Sequence, residues 1–173
     1  MSGGIPSEQE LALENASLAA RVLECAAKRG ATLGTAESCT GGLVAAALTD
    51  VPGSSQVFVG GVVSYWVQVK EALLDVDAAL VEEHGVVSEE VACAMARGAC
   101  RALSCDWALS STGIAGPGGA EPGKPVGTVW LAFADGCQTR ARCIHAPGNR
   151  QTVRLAAVNA ALKLCLETVQ QAS

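Results

Sequence analysis

A chain of 173 residues, half of them hydrophobic, can bury one substantial core but is short for two domains of ordinary size. Its formal net charge of -5 and scattered Lys and Arg argue against the basic face that nucleic-acid binding requires. Every apolar run is broken by Gly, Ser or charge well short of membrane-spanning length, so neither a nucleic-acid nor a membrane partner is expected.

In chain order, residues 1–7 read as a loose extension. Glu8 to Arg29 then places Leu11, Leu18, Ala19, Val22, Leu23 and Ala26 at helical spacing, with Asn15 as a polar interruption. Ser7 suits the N-cap and Gly30 the stop. Ala31 to Ala36 fits a buried strand, which leads through Glu37-Ser38-Cys39-Thr40-Gly41-Gly42 into an Ala-rich helix from Leu43 to Leu48. Val57 to Tyr65, rich in Val and carrying Gly60 and Gly61, predicts a second strand with a bulge or a close backbone approach.

A helical segment should carry Val69, Leu73 and Leu74, another should lie between Ala78 and His84, and Ser88 should open an amphipathic helix through Val91, Met95 and Leu103. Trp107 to Ser111 reads as a strand. The Gly- and Pro-rich stretch from Thr112 to Pro125 reads as a long loop over a site. Val126 to Ala134 and Gln138 to His145 predict paired strands turned at Asp135-Gly136. Asn149 to Gln170 closes the chain as a helix capped by Asn149. The order αβαβ, a helical stretch, then βββα implies a three-layer α/β/α sandwich around a mixed sheet of about five strands, in a single domain.

The start MSGGIPSEQELALEN has neither a basic n-region nor an apolar h-region, so a cytoplasmic location and reduced thiols are expected. The eight cysteines contain no CxxC pair, and only His84 and His145 supply imidazoles. No metal or cofactor is therefore expected, and most cysteines read as small buried hydrophobes.

Ligands of α/β sheets bind beyond the carboxyl ends of strands, and three such ends carry chemistry here. Ser38 lies between strand and helix, where amides around Thr40, Gly41 and Gly42 would form an oxyanion hole. With neither histidine near a comparable motif, Lys70 is the candidate base, because a buried lysine can lose its proton near neutral pH. The loop opening at Thr112 and Gly113 would present amides to a phosphate, with Lys124 adding charge. Arg150, in the first turn of the last helix, is electrostatically disfavoured unless an anion is near. Each feature also has a plain alternative: an N-cap serine, a solvated lysine, a flexible connection, a tolerated surface arginine.

Taken together, Ala36-Glu-Ser-Cys-Thr-Gly-Gly42, Gly60-Gly-Val-Val-Ser-Tyr65 with Lys70, Gly85-Val-Val-Ser88, Thr112-Gly-Ile-Ala-Gly-Pro-Gly-Gly119 and Lys124-Pro-Val-Gly-Thr-Val-Trp130 resemble the CinA C-terminal family over nearly the whole chain. That family deamidates nicotinamide mononucleotide to nicotinate mononucleotide and ammonia in pyridine nucleotide recycling. The resemblance implies a stand-alone form, no metal, and a homodimer. It makes Ser38 the nucleophile, Lys70 its base and Tyr65 a partner that orients or relays the proton. Thr40, Gly41, Gly42, Thr112, Gly113, Gly116 and Arg150 would line the substrate site. The sequence departs from the family pattern at Trp66 to Val69, usually more polar, and at Asn149, usually Asp. Three rival readings follow: Cys39 as nucleophile, a pyridine-nucleotide-binding protein with weak or no catalysis, and a structural protein using its Ala-rich helices.

Overall fold

The computed structural model describes residues 6–171. Residues 1–5 of the expected loose extension lie outside this range, whereas Ser7 is tied to helix α1 (Glu8–Arg29). Its hydroxyl accepts from the Glu10 amide while the Glu10 carboxylate accepts from the Ser7 amide, closing a capping box. At the other end Gly30 turns left-handed, φ 63°, and its amide donates to the carbonyls of Ala26 and Ala27. The predicted stripe is buried throughout, Asn15 included, and the Asn15 amide nitrogen donates to the Leu155 carbonyl.

The remaining elements are β1 (Leu33–Glu37), α2 (Leu43–Thr49), a 3-10 turn at Ser54–Gln56, β2 (Phe58–Val63), α3 (Val67–Leu74), α4 (Ala78–His84), α5 (Glu89–Leu103), β3 (Trp107–Gly113), β4 (Thr128–Ala134), β5 (Thr139–His145) and α6 (Arg150–Gln171). The strands form one sheet in the order β2-β1-β3-β4-β5. β1 runs parallel to β2 and β3, and the β3-β4-β5 pairs are antiparallel, so the sheet is mixed. The β1–β2 register shifts between Leu33 and Gly34, the irregularity that Gly60 and Gly61 suggested.

Helices α1, α2 and α6 cover one face over a core that includes Leu33, Val44, Leu109, Leu131, Phe133 and Leu162. The other face carries α3, α4 and α5 over Ala36, Leu74, Val91, Met95 and Ala108. Covering both faces is why all five residues of β1 are buried. Each large apolar side chain buried here contributes about 1.5–3 kcal/mol relative to exposure. Helix α3 reaches α5 because residue 98 is glycine: a Cβ there would overlap the Leu74 carbonyl. This contact holds Lys70 over the sheet end.

Several boundaries differ from expectation. β3 runs on to Gly113, because Thr112 and Gly113 pair with Trp130 and Val129. The loop is therefore shorter at its start, and β4 begins at Thr128 rather than Val126. β2 ends at Val63, leaving Tyr65 in the connection to α3. Of the cysteines only Cys39, Cys105 and Cys165 are buried; four are partly exposed and Cys137 is exposed. Their positions at helix flanks and on the outer strand β5, rather than in the core, account for the difference.

Candidate active site

The carboxyl ends of the parallel strands β1 and β2 and of β3 meet at Ser38. Its amide donates to the Ser111 carbonyl at 2.9 Å, fixing the first residue beyond β1 against β3. From the β2 side, the Ser64 amide donates to the Glu37 carbonyl at 2.8 Å, and one turn of α3 then delivers Lys70. Lys70 Nζ stands 3.1 Å from Ser38 Oγ, 2.6 Å from the Ser64 carbonyl oxygen and 3.4 Å from that of Tyr65. The lysine is fully buried, and among the described residues no carboxylate lies within ion-pair distance of it.

Burial disfavours its charged form and brings the ammonium down from 10.5 to about 8, against a smaller opposing influence from Cys39. The partners suit a neutral amine. Two N–H groups can serve the two carbonyls, and the lone pair then faces the Ser38 hydroxyl as acceptor. The arrangement can take a proton from a serine as it attacks.

Glu37 was not singled out by the sequence, yet its buried carboxylate organises the loop. It accepts from the Thr40 hydroxyl at 2.7 Å and from the amides of Gly42, Val44 and Ala45 at 3.0, 3.0 and 2.8 Å. It thus caps α2, which has no side-chain cap of its own at Gly42. With its hydrogen committed to Glu37, Thr40 Oγ1 accepts from Ser111 Oγ at 2.6 Å.

This wiring revises the expected oxyanion hole. The Gly42 amide is spent on Glu37, and the Gly41 amide on the Ser38 carbonyl at 3.1 Å. The amides of Cys39 and Thr40 find no oxygen acceptor among the described residues; both stand against the buried Cys39 sulfur, and they are the donors adjoining the nucleophile. The Cys39 thiol is buried, and burial pushes it up to about 11, which removes it as a competing thiolate near neutral pH.

The other expected residues are placed as follows. The Tyr65 phenol accepts from Arg150 at 3.2 Å and makes no hydrogen bond to Ser38 or Lys70; Tyr65 meets Lys70 through its backbone carbonyl. Arg150 also donates to the Gly116 carbonyl at 2.9 Å, joining the long loop to the connection before α3. Thr112 is buried and its hydroxyl donates to the Val86 carbonyl at 2.8 Å, and Gly113 pairs with Val129 at the end of the β3–β4 ladder. Lys124 is tied to the His84 carbonyl at 3.2 Å and to Glu121. Asn149 caps α6, its side-chain oxygen accepting from the amides of Gln151 and Thr152.

A second arginine, Arg154, was also missed. It lies four residues after Arg150 and reaches the loop behind Ser38, with Nε 3.2 Å from the Cys39 carbonyl and an Nη 2.7 Å from that of Thr40. The signal available in the sequence was the i, i+4 spacing of two arginines in the opening turns of α6.

Similarity to known proteins extends over most of the chain. The family model "CinA C-terminal domain" matches residues 15–169. A "CinA-like protein" of Parasynechococcus marenigrum (strain WH8102) is 55% identical over 127 residues, covering 72% of this chain and 30% of that relative. A "CinA-like protein" of Mycobacterium tuberculosis (strain ATCC 25177 / H37Ra) is 49% identical over 141 residues, covering 81% of this chain and 33% of that relative. The chain thus spans about a third of the length of these curated relatives. Among solved structures, the competence/damage inducible protein CihA from Agrobacterium tumefaciens superposes with a TM-score of 0.88 at 35% identity, covering 97% of this chain and 99% of that one. The competence damage-inducible protein A from Klebsiella pneumoniae gives 0.87 at 36% identity, covering 90% and 97%. The chain belongs to the CinA C-terminal domain family.

Proposed function

We propose that this chain is an amidohydrolase that deamidates nicotinamide mononucleotide to nicotinate mononucleotide and ammonia. The observation that carries the reading is the 3.1 Å contact between Ser38 Oγ and a fully buried Lys70 that has no carboxylate counter-ion among the described residues. The substrate follows from the family resemblance.

In the proposed reaction the neutral Lys70 amine takes the Ser38 proton as Oγ attacks the carboxamide carbon. The carbonyl π electrons move to oxygen, where the Cys39 and Thr40 amides stabilise the charge. Lys70 returns the proton to the departing nitrogen, so ammonia leaves and an acyl-Ser38 ester remains. Water, deprotonated by Lys70, adds to that ester, and its collapse restores Ser38 and frees the acid. Arg150 supplies a cation for the phosphate of the mononucleotide, with the Tyr65 phenol already bound to it. Among the described residues no helix is long and apolar enough to cross a membrane.

The test is ammonia release from nicotinamide mononucleotide by the wild type, Ser38→Ala and Lys70→Ala. Both variants should lose several orders of magnitude in kcat. Turnover by Ser38→Ala at the wild-type rate excludes the mechanism. Tight mononucleotide binding without ammonia from the wild type would select the non-catalytic binding reading.

A further inference from the structure

Arg154 holds two consecutive peptide carbonyls and, among the described residues, no carboxylate. Its guanidinium donates to the Cys39 carbonyl at 3.2 Å and the Thr40 carbonyl at 2.7 Å, and its other contact is Gln151 at 3.4 Å. Among the described residues it has no ion-pair partner. A rigid, bidentate donor is suited to such a task.

Trans peptide geometry turns these two contacts into a statement about amide direction. The only cis bond among the described residues is Gly116-Pro117, so the peptides of this loop are trans, with C=O and N–H antiparallel. Drawing the Cys39 carbonyl toward α6 therefore aims the Thr40 N–H away from α6. Drawing the Thr40 carbonyl the same way aims the Gly41 N–H at the Ser38 carbonyl, which it meets at 3.1 Å. With the Ser38 carbonyl fixed, the Cys39 N–H is directed oppositely. One guanidinium, together with the Leu43 amide that donates to the Thr40 carbonyl at 3.3 Å, thus sets the orientation of both amides that lack an oxygen acceptor among the described residues.

Residue 41 records how close that approach is. Gly41 has φ 59°, and a Cβ on it would stand 3.3 Å from an Arg154 Nη. The loop is shaped around the cation.

We infer that Arg154 is a positioning residue: it pre-aims the Cys39 and Thr40 amides at the developing oxyanion beside Ser38 and polarises their peptides. This rests on the amidohydrolase reading for the reaction but not for the identity of the substrate. A fluorophosphonate serine probe separates the two. Ser38 Oγ displaces fluoride from phosphorus, its proton passes to Lys70, and the phosphoryl oxygen occupies the same amides.

The experiment measures the second-order rate of Ser38 labelling against pH for wild type, Arg154→Ala and Arg154→Lys, with Ser38→Ala as blank. Arg154→Ala should label on the order of 100-fold more slowly, the loss associated with an oxyanion donor. The pH of half-maximal rate should not move, because Lys70 is untouched, and millimolar guanidinium should restore much of the rate. Arg154→Lys, which keeps charge but not the two-point grip, should fall between. Labelling of either variant within about threefold of wild type overturns the inference. So does a loss that guanidinium fails to reverse in an alanine variant melting like the wild type. A wild type labelled at Ser38 that yields no ammonia from the mononucleotide removes the substrate and leaves Arg154's role standing. A wild type unlabelled at Ser38 removes both.

Discussion

Alkalinity should switch this protein on over a narrow interval, because Lys70 must be neutral to act. With its ammonium at about 8, about one lysine in eleven is neutral at about pH 7 and about ten in eleven at about pH 9. At subsaturating substrate, kcat/KM should therefore rise about tenfold between those values and then level off. An ordinary lysine would give about a hundredfold rise over the same interval with no plateau. Ammonia release, corrected with Ser38→Ala at each pH, distinguishes the two. A flat profile, or one still climbing steeply past about pH 9, refutes the assignment.

The same group links stability to pH. Below about pH 8 both folded and unfolded states carry the proton and the burial cost is fully present; between about 8 and 10.5 the unfolded chain binds more protons, so stability rises with pH. The full change is about 3 kcal/mol. Lys70→Met should gain part of that near neutrality, less about 1 kcal/mol for each carbonyl left unpaired, while losing activity. Denaturant unfolding at two pH values measures it.

Arg150→Met should raise KM for the phosphorylated substrate about tenfold or more, with a smaller effect on kcat; the dephosphorylated riboside should be nearly indifferent, and equal losses on both would refute a phosphate contact. Cys39→Ala should leave kcat within about threefold of wild type, and alkylation of the native protein should not track activity. Glu37→Gln should cost about 2–4 kcal/mol in urea unfolding, because an NH2 group must then face amides that now donate to a carboxylate.

Local pattern carried the scaffold. The α1 stripe, the Gly30 stop, the Ser88 cap and the Asp135-Gly136 hairpin each depend on residues a few positions apart, and all appear where expected. Ser38 and Lys70 were legible as candidates at strand ends, and the fold brings them to 3.1 Å across 32 positions. What stayed hidden was how individual peptide groups are spent. Whether the Gly42 amide faces a substrate or Glu37 depends on a loop conformation that residue types do not encode alone. Thr112 looked available because Gly and Pro follow it, but β4 pairing extends the strand through it. Arg154 acts across 115 positions on backbone atoms, and backbone acceptors leave no mark in a sequence.

The carboxylate of Glu37 has one more effect. By occupying the amino end of the short helix behind the nucleophile, it converts a natural anion receptor into a repulsive wall. On the proposed reading, a phosphorylated guest would be sorted by polarity: its uncharged amide would enter toward the wall, and its phosphate would be left on the outer side, at Arg150 in the opening turn of the last helix.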